Sequence, residues 1–199
     1  MKRSLFLFIA LIFVSQVNAQ SSEPKASKWH TFVEADMIFP SDREYNYFDT
    51  DNLWGRDVNL DETGSLSSFG VQGSYNYHFL KRFSIGALGG LQRFTSPSLS
   101  MIKIGGVLRY YTANDALYMF LQVAHDESLN KKRFKNGTNL RMGIGLPLLR
   151  TDDFNLFING HFDYHLLDLK GAKPLLGYEF EEPVDLVLRS LGISIGVKF

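Results

Sequence analysis

The sequence predicts an all-β protein, an eight-stranded antiparallel transmembrane β-barrel, on three observations. Segments in which apolar residues alternate with small or polar residues recur along the chain. The last of them, "SLGISIGVKF", runs to the final residue, Phe199, although most soluble chains end in a frayed polar tail. The first 19 residues have the pattern of a secretory signal, which indicates that the protein leaves the cytoplasm.

The signal is predicted from its three parts. Lys2 and Arg3 form a basic start, residues 5–14 form an unbroken apolar run, and Ala19 ends a small-residue cleavage pattern. The apolar run is too short to span a bilayer as a helix. We therefore expect residues 1–19 to be removed and residues 20–28 to remain as a polar periplasmic stub before the barrel.

Composition excludes several classes of protein. The predicted mature chain carries 19 basic and 21 acidic residues, because the signal removes two basic ones, so no charge excess favours nucleic acid as a partner. There is no cysteine, hence no disulfide framework, no thiolate metal site and no lipidated cysteine. Aromatic residues are 14% of the chain and glycines number 17, which favours strands with many turns. No cofactor is expected.

Four of the eight predicted strands illustrate the alternation, which is clear in all of them except the first. In the first, residues 29–39, apolar and polar residues share both faces; in the second, residues 67–79, Phe, Val, Tyr and Gly occupy one face, and Gly, Gln, Ser, Asn and His the other. The sixth and seventh, residues 138–149 and 154–165, set Leu, Met and Ile, or Phe, Ile and Tyr, against Asn, Arg, Gly, Asp and His. The predicted strands, in order, are residues 29–39, 67–79, 83–93, 101–111, 117–125, 138–149, 154–165 and 186–199.

The connections between these segments alternate in length. Those after the second, fourth and sixth segments are short, whereas residues 40–66, 126–137 and 166–185 form long polar loops. This pattern is typical of transmembrane barrels with short periplasmic turns and long outer loops, both termini then being periplasmic. Loop 40–66 holds five Asp, two Glu, two Arg and several aromatic residues, and we expect it to contact an extracellular partner.

The two faces of the strands indicate which side meets lipid. The less apolar face has few long charged side chains, as suits the narrow interior of an eight-stranded barrel rather than a surface in water. Aromatic residues on the apolar face concentrate toward both strand ends, as in the girdles at water–lipid interfaces. The apolar face is therefore predicted to point outward, into the membrane.

The chain resembles the small eight-stranded outer-membrane β-barrels of the OmpA/OmpX type, the porin-like barrels of Gram-negative bacteria. The resemblance rests on the signal, the eight segments, the alternation of turns and loops, "GGVLRYYT" at 105–112 and the "ISIGVKF" end. It implies that Ile195, Val197 and Phe199 are the signal recognised by the outer-membrane assembly machinery.

Charged residues on the predicted inner face are the main candidate site. They are Glu34, Asp36, Lys103, Arg109, Arg141, Asp163 and Lys198. Buried charges require partners, so we expect a lumenal ion-pair network that plugs the barrel and a structural or surface-interaction role. The alternative is a narrow path for ions or small solutes.

Three further patterns contain residues that are suited to metal binding, catalysis or lipid contact. His161 and His165 lie about 14 Å apart on one face, too far to share a metal ion, so no metal site is predicted. The resemblance implies one possible activity, because some eight-stranded outer-membrane barrels are lipid A-modifying enzymes that use a His and a Ser two residues apart on one strand face. In "HDES" at 125–128, His125 and Ser128 are three residues apart, so no catalytic residue is assigned. Arg93 and Arg189, on the outward face near the outer rim, are candidate contacts for lipopolysaccharide phosphates.

Overall fold

The computed structural model describes residues 28–59, 67–95, 98–112 and 117–199. The predicted signal peptide and residues 20–27 of the predicted stub lie outside this part of the chain. Within it the strands are β1 (Trp29–Asp49), β2 (Trp54–Asn59), β3 (Ser68–Leu80), β4 (Phe83–Phe94), β5 (Leu99–Tyr111), β6 (Tyr118–Ser128), β7 (Asn136–Arg150), β8 (Asn155–Asp168) and β9 (Glu181–Lys198).

Eight of these strands close a ring. Each of β3 to β9 pairs antiparallel with its neighbour in sequence, β1 pairs with β3, and β9 returns to pair with β1. The short strand β2 lies outside the ring and forms a hairpin with the last six residues of β1. The start of β1, the end of β9 and the short connections after β3 and β7 lie at one end of the barrel, called the turn end; the longer connections after β6 and β8 lie at the other, called the loop end.

Alternation along the strands separates the outer face from the interior. Ile144 and Ile195 are 48% and 56% exposed on the outside, whereas Arg109 and Arg141 are completely enclosed. Outward aliphatic residues occur on every strand of the ring, so a continuous apolar surface surrounds the barrel. The predicted fold class, an eight-stranded antiparallel transmembrane β-barrel, is confirmed. No helix in the described segments is long and apolar enough to cross a bilayer.

The strands extend further at the loop end than the sequence predicted. Residues 40–49, placed in loop 40–66, continue β1, and residues 54–59 form β2; residues 60–66 lie outside the described chain. The boundaries of loops 126–137 and 166–185 were wrong in the same way, because β6 ends at Ser128, β8 at Asp168, and β9 begins at Glu181. These strand ends are rich in polar and charged residues, which resemble loop composition but continue the sheet above the apolar zone.

A β-bulge explains why β1 was predicted to end at Phe39. Its pairing with β9 shifts by one residue between Pro40 and Asp42. Before the shift the even-numbered residues point inward, and after it the odd-numbered residues do, from Arg43 to Asp49. A one-residue shift exchanges the two faces of a strand, so the alternation is interrupted in the sequence where the strand only changes phase.

The interior has an apolar cluster at each end. At the turn end Phe32 lies 5.5 Å, ring centre to ring centre, from both Tyr118 and Phe157, in a cluster with Leu88, Val107, Tyr111, Phe120 and Ala124. At the loop end a second cluster comprises Tyr45, Tyr47, Phe94, Leu99, Met101, Phe134, Leu167, Leu169, Leu186 and Leu188. Most polar side chains of β8, from Asn159 to His165, lie between these clusters, whereas Arg109 is embedded in the turn-end cluster.

Candidate functional site: the barrel interior and the loop-end rim

The first polar network surrounds Arg109. Its Nη2 donates to Glu34 Oε1 at 3.2 Å and to the Ser74 hydroxyl at 3.2 Å, and its Nη1 donates to Asn76 Oδ1 at 2.5 Å. The guanidinium also lies 4.3 Å from the ring centre of Phe32, a cation–π contact. A fully enclosed charge is thus matched by one carboxylate and several neutral acceptors, as burial requires.

The second network surrounds Arg141, nearer the loop end. Its Nε donates to Asp163 Oδ1 at 2.8 Å and its Nη1 donates to Asp36 Oδ2 at 3.0 Å. His161 Nδ1 lies 2.5 Å from Asp163 Oδ2, and Asn139 also donates to Asp163. Residues from β1, β7 and β8 therefore meet at one arginine in the middle of the barrel.

The two predicted lysines make further contacts in the interior. Lys103 is buried and donates to Gln92 Oε1 at 2.6 Å, and Gln92 in turn donates to the hydroxyl of Ser68. Lys198, at the turn end, is half-buried with its Nζ 4.7 Å from the ring centre of Tyr111. Five of the seven predicted charges thus belong to the two arginine-centred networks, and Lys103 lies close enough to interact electrostatically with Arg141 and Asp163.

Sequence reasoning missed the neutral part of the interior. Gln72 donates to both Glu34 and Gln122 and so joins the first network to β6, and Tyr118 donates to Asn159. The signal was available, because Gln72 pairs with Glu34 and Gln122 with Arg141 across the sheet. Asn159 and Tyr118 have the inward parity of Asp163 and Gln122 on their own strands. Amides and aromatic rings were passed over because only ionisable residues were counted.

Inward glycines provide the space for these side chains. A Cβ on Gly192 would lie 2.2 Å from His161 Cε1, one on Gly70 2.6 Å from Asp36 Oδ1, and one on Gly145 2.3 Å from the Tyr118 ring. Each glycine is a neighbour, across a strand pair, of the large residue that it accommodates. The alternation of Gly with large polar residues is therefore a packing pattern of the interior.

His161 and His165 are hydrogen-bonded rather than grouped as metal ligands. His161 contacts Asp163, and His165 Nδ1 lies 2.9 Å from Asp126 Oδ2, with Asn139 Nδ2 3.2 Å from its other ring nitrogen. Among the described residues, no three His, Asp or Glu side chains are arranged to hold a metal ion.

The "HDES" residues do not form a catalytic pair. His125 points outward, with its side chain 55% exposed and 3.6 Å from Glu127, whereas Ser128 is buried on the inner side of β6. A general base must be within hydrogen-bond reach of its nucleophile, and residues on opposite faces of one strand are not.

One carboxylate anchors residues 169–180 over the loop end. Glu181 Oε1 accepts hydrogen bonds from the backbone N–H groups of Leu175, at 2.8 Å, and Leu176, and from the Tyr45 hydroxyl. Leu175, Leu176 and Phe180 pack on the loop-end apolar cluster. Burial first, and then the bond to Glu181, raise the pKa of the Tyr45 hydroxyl above its ordinary value. This segment therefore covers the interior at the loop end.

The tip of the β1–β2 hairpin exposes large apolar side chains. Leu53 has a φ of 57°, a left-handed conformation uncommon for a branched residue, and Leu53 and Trp54 are 74% and 73% exposed. The Asp49 carboxylate accepts bonds from the N–H groups of Asp51 and Asn52 and from the Asn52 side chain, and pairs with Arg56 at 3.0 Å. The tip is thus a turn within predicted loop 40–66 that is held by hydrogen bonds and an ion pair of Asp49.

The two candidate lipid-contacting arginines differ in their surroundings. Arg189 donates to Asp42 and, at 3.1 Å, to Glu44, both on β1. Arg93 is exposed on the outer face of β4, opposite Phe69 on β3 and Ser100 on β5. Among the residues that the structure describes, Arg189 has two carboxylate partners and Arg93 has none.

The predicted assembly signal lies on the outer face at the seam of the ring. Ile195 and Phe199 are 56% and 53% exposed, and Val197 is half-buried. Phe199 exchanges two backbone hydrogen bonds with Thr31, at 3.0 and 3.3 Å. The final residue is therefore held by the first strand.

No protein-family model and no curated protein matches the chain. Among solved structures, Neisserial surface protein A is 13% identical with a TM-score of 0.49, covering 88% of this chain and 98% of its own. The outer membrane protein OprG from Pseudomonas aeruginosa is 10% identical (TM-score 0.44; 87% and 96% covered). The outer membrane protein AlkL, determined in DMPC bilayers, is 12% identical (TM-score 0.44; 91% and 93% covered). The chain is similar to these barrels, and its place among small eight-stranded transmembrane barrels rests on its own closed ring and apolar outer face.

Proposed function

We propose that the protein is an integral outer-membrane barrel with a plugged interior, which presents its loop end at the cell surface as a structural or binding scaffold. The observation that carries this proposal is the sequence of layers inside the ring. The ion pairs of Arg141 lie between the two apolar clusters, and the ion pair of Arg109 with Glu34 is embedded in the turn-end cluster, against Phe32. An ion crossing this interior would have to pass both clusters and replace the buried ion pairs.

The alternative is a narrow channel, and conductance distinguishes the two. An eight-stranded barrel has an interior just wide enough to be filled by side chains. We expect the full-length mature protein in planar bilayers to give no resolved current steps. The current steps of Tyr118→Ser, which opens the turn-end cluster, are compared with those of Met119→Ser on the outer face. Steps from the wild-type protein that change size with Arg141→Met would overturn the plugged interior.

A lipid A-modifying activity is the second alternative. The separation of His125 and Ser128 on opposite faces of β6 disfavours it. Mass spectrometry of lipid A from cells with and without the protein is expected to show the same species. A mass shift that persists in a His125→Ala strain would point to different catalytic residues, and one that disappears would restore the original pair.

The scaffold proposal assigns partner contact to the exposed tip of the β1–β2 hairpin. Large exposed apolar side chains in a built turn are typical of recognition surfaces, and Trp54 is prominent here. A photo-crosslinking residue at position 54 on intact cells is expected to capture a partner. The same residue at Phe79, exposed at the turn end, is the control for non-specific capture. Equal capture at both positions would contradict a specific contact at the tip.

A further inference from the structure

We propose that Arg93 and the groove beside it bind the phosphorylated lipid A part of lipopolysaccharide, and that Arg189 does not. The assignment of the lipid rests on the proposed outer-membrane location, with the loop end outside. It commits to one of the two arginines that the sequence made equal candidates.

The groove lies on the outer wall below the loop-end rim. It has a volume of about 320 Å³ and is lined by Phe69, Val71, Leu91, Arg93, Ser100 and Leu129. Phe69, Val71 and Leu91 are each more than half exposed, so the wall offers an apolar surface of the kind that an acyl chain covers. Leu129 is held against it by a bond from its N–H to the Ser100 carbonyl at 2.9 Å.

Arg93 stands at the depth of a lipid phosphate. It follows Phe83 by ten residues on β4, and Phe83 contacts Tyr110 and Phe79 in the turn-end aromatic girdle. At about 3.4 Å per residue and a tilt of about 40°, ten residues rise about 26 Å along the barrel axis. The apolar band of such barrels is about 25 Å tall, so Arg93 marks its opposite boundary.

The charge of Arg93 is open to a ligand. Within the described residues its side chain has neither a hydrogen bond nor an ion pair. A guanidinium presents paired N–H donors that fit a phosphate. Arg189 uses two of its nitrogens on Asp42 and Glu44, so a phosphate there would meet two carboxylates. Charge complementarity therefore favours a phosphate at Arg93 alone.

The test measures lipid retention by the purified full-length mature barrel in detergent, by native mass spectrometry. Wild-type protein is titrated with bisphosphorylated lipid A, with the same lipid lacking phosphates, and with phosphatidylglycerol. We expect Arg93→Gln to weaken binding of bisphosphorylated lipid A about tenfold, since bonds to charged groups are of that strength. Arg189→Gln, the matched control, should change it less than about twofold. Arg93→Lys, which keeps the charge and loses the fork, should lie between.

Each outcome supports or overturns the proposal. Equal binding by wild type and Arg93→Gln would overturn it, as would equal losses in the two Gln variants. Retention of phosphatidylglycerol as strong as that of lipid A would overturn the choice of lipid. Folding of each variant is checked by the different gel migration of boiled and unboiled barrel. Current steps from the wild type would refute the plugged interior without touching this result, so the two failures are distinguishable.

Discussion

At the scale of single residues, the interior depends on glycines as much as on charges. Alternation alone predicts that Glu34, Asp36 and Arg141 point inward, because the side-chain period of a strand is fixed at two. It does not predict that Arg141 lies between Asp36 and Asp163, which are 105 and 22 residues away in sequence. Asp163 is the direct partner of Arg141 across the β7–β8 hairpin. The contact with Asp36 on β1 follows from the tilt and stagger of the closed barrel, which a single sequence does not specify.

The glycine pattern predicts that a Gly→Ala substitution lowers the free energy of unfolding more at Gly192 than at Gly160. Gly192→Ala places a methyl group against the His161 ring, which Asp163 holds in place, whereas a Cβ on Gly160 meets nothing within 4 Å. Overpacking costs about 1–3 kcal/mol, and surface changes cost under about 0.5 kcal/mol. We expect denaturant unfolding in liposomes to show that difference in the free energy of unfolding. Equal values for the two variants would contradict the packing pattern.

At the scale of elements, the bulge in β1 decides what could be predicted. The phase change at Pro40 was indistinguishable in sequence from the end of a strand, since the residues that follow it are polar. Tyr45 and Tyr47 belong to the loop-end cluster only because of this change. Strands that keep one phase, such as β3, were predicted to within a residue or two.

Because the chain has no cysteine, labelling can test the phase change directly. With the bulge, single cysteines at Glu44 and Phe48 point outward, and those at Arg43 and Tyr47 point inward. We expect a water-soluble maleimide to modify the first pair on the folded barrel and spare the second. Labelling of Tyr47→Cys without Phe48→Cys would show that the phase does not change.

The turn at the hairpin tip has a predictable pH dependence. Hydrogen bonds, first that from the Asn52 side chain, hold the pKa of Asp49 below its ordinary value. The stabilisation is therefore complete above the unfolded pKa, about 4, and is lost as pH falls through the lower folded value. We expect the amide proton shifts of Asp51 and Asn52 to titrate with a midpoint below 4.

Asp49→Asn is the matched variant for this titration. It keeps one acceptor oxygen for the N–H groups of Asp51 and Asn52 but removes the ionisable group, so both amide shifts should stay flat over the same pH range. A wild-type midpoint at or above 4 would mean that the carboxylate gains nothing from the turn.

At the scale of the whole molecule, the ring and its orientation to lipid followed from sequence. Eight alternating segments with one strongly apolar face have few solutions other than a closed barrel in a membrane, because open edges are not tolerated there. The layering of the interior did not follow. Phe32, Tyr118 and Phe157 share the inward parity with polar residues, and only their meeting across the barrel shows that they form a cluster.

Deletion of Phe199 can distinguish a role in recognition by the assembly machinery from a structural role. Deleting it removes two backbone bonds at the seam but none of the buried networks. If the residue is an assembly signal, we expect deletion to reduce the folded barrel in cell membranes several-fold while refolding in detergent stays nearly normal. Matching losses in both measurements would indicate that Phe199 acts only through the seam.

The pairing of β1 with β9 has a consequence for how the barrel folds. Lys198 lies beside Phe32, so two pieces separated by nearly the full mature length must find each other. Until the final residues have been delivered, the first strand has one edge without its partner, and contacts between such distant positions form slowly. Until the strands have paired, the incomplete sheet is prone to aggregation, and its transport to the membrane should depend on a chaperone.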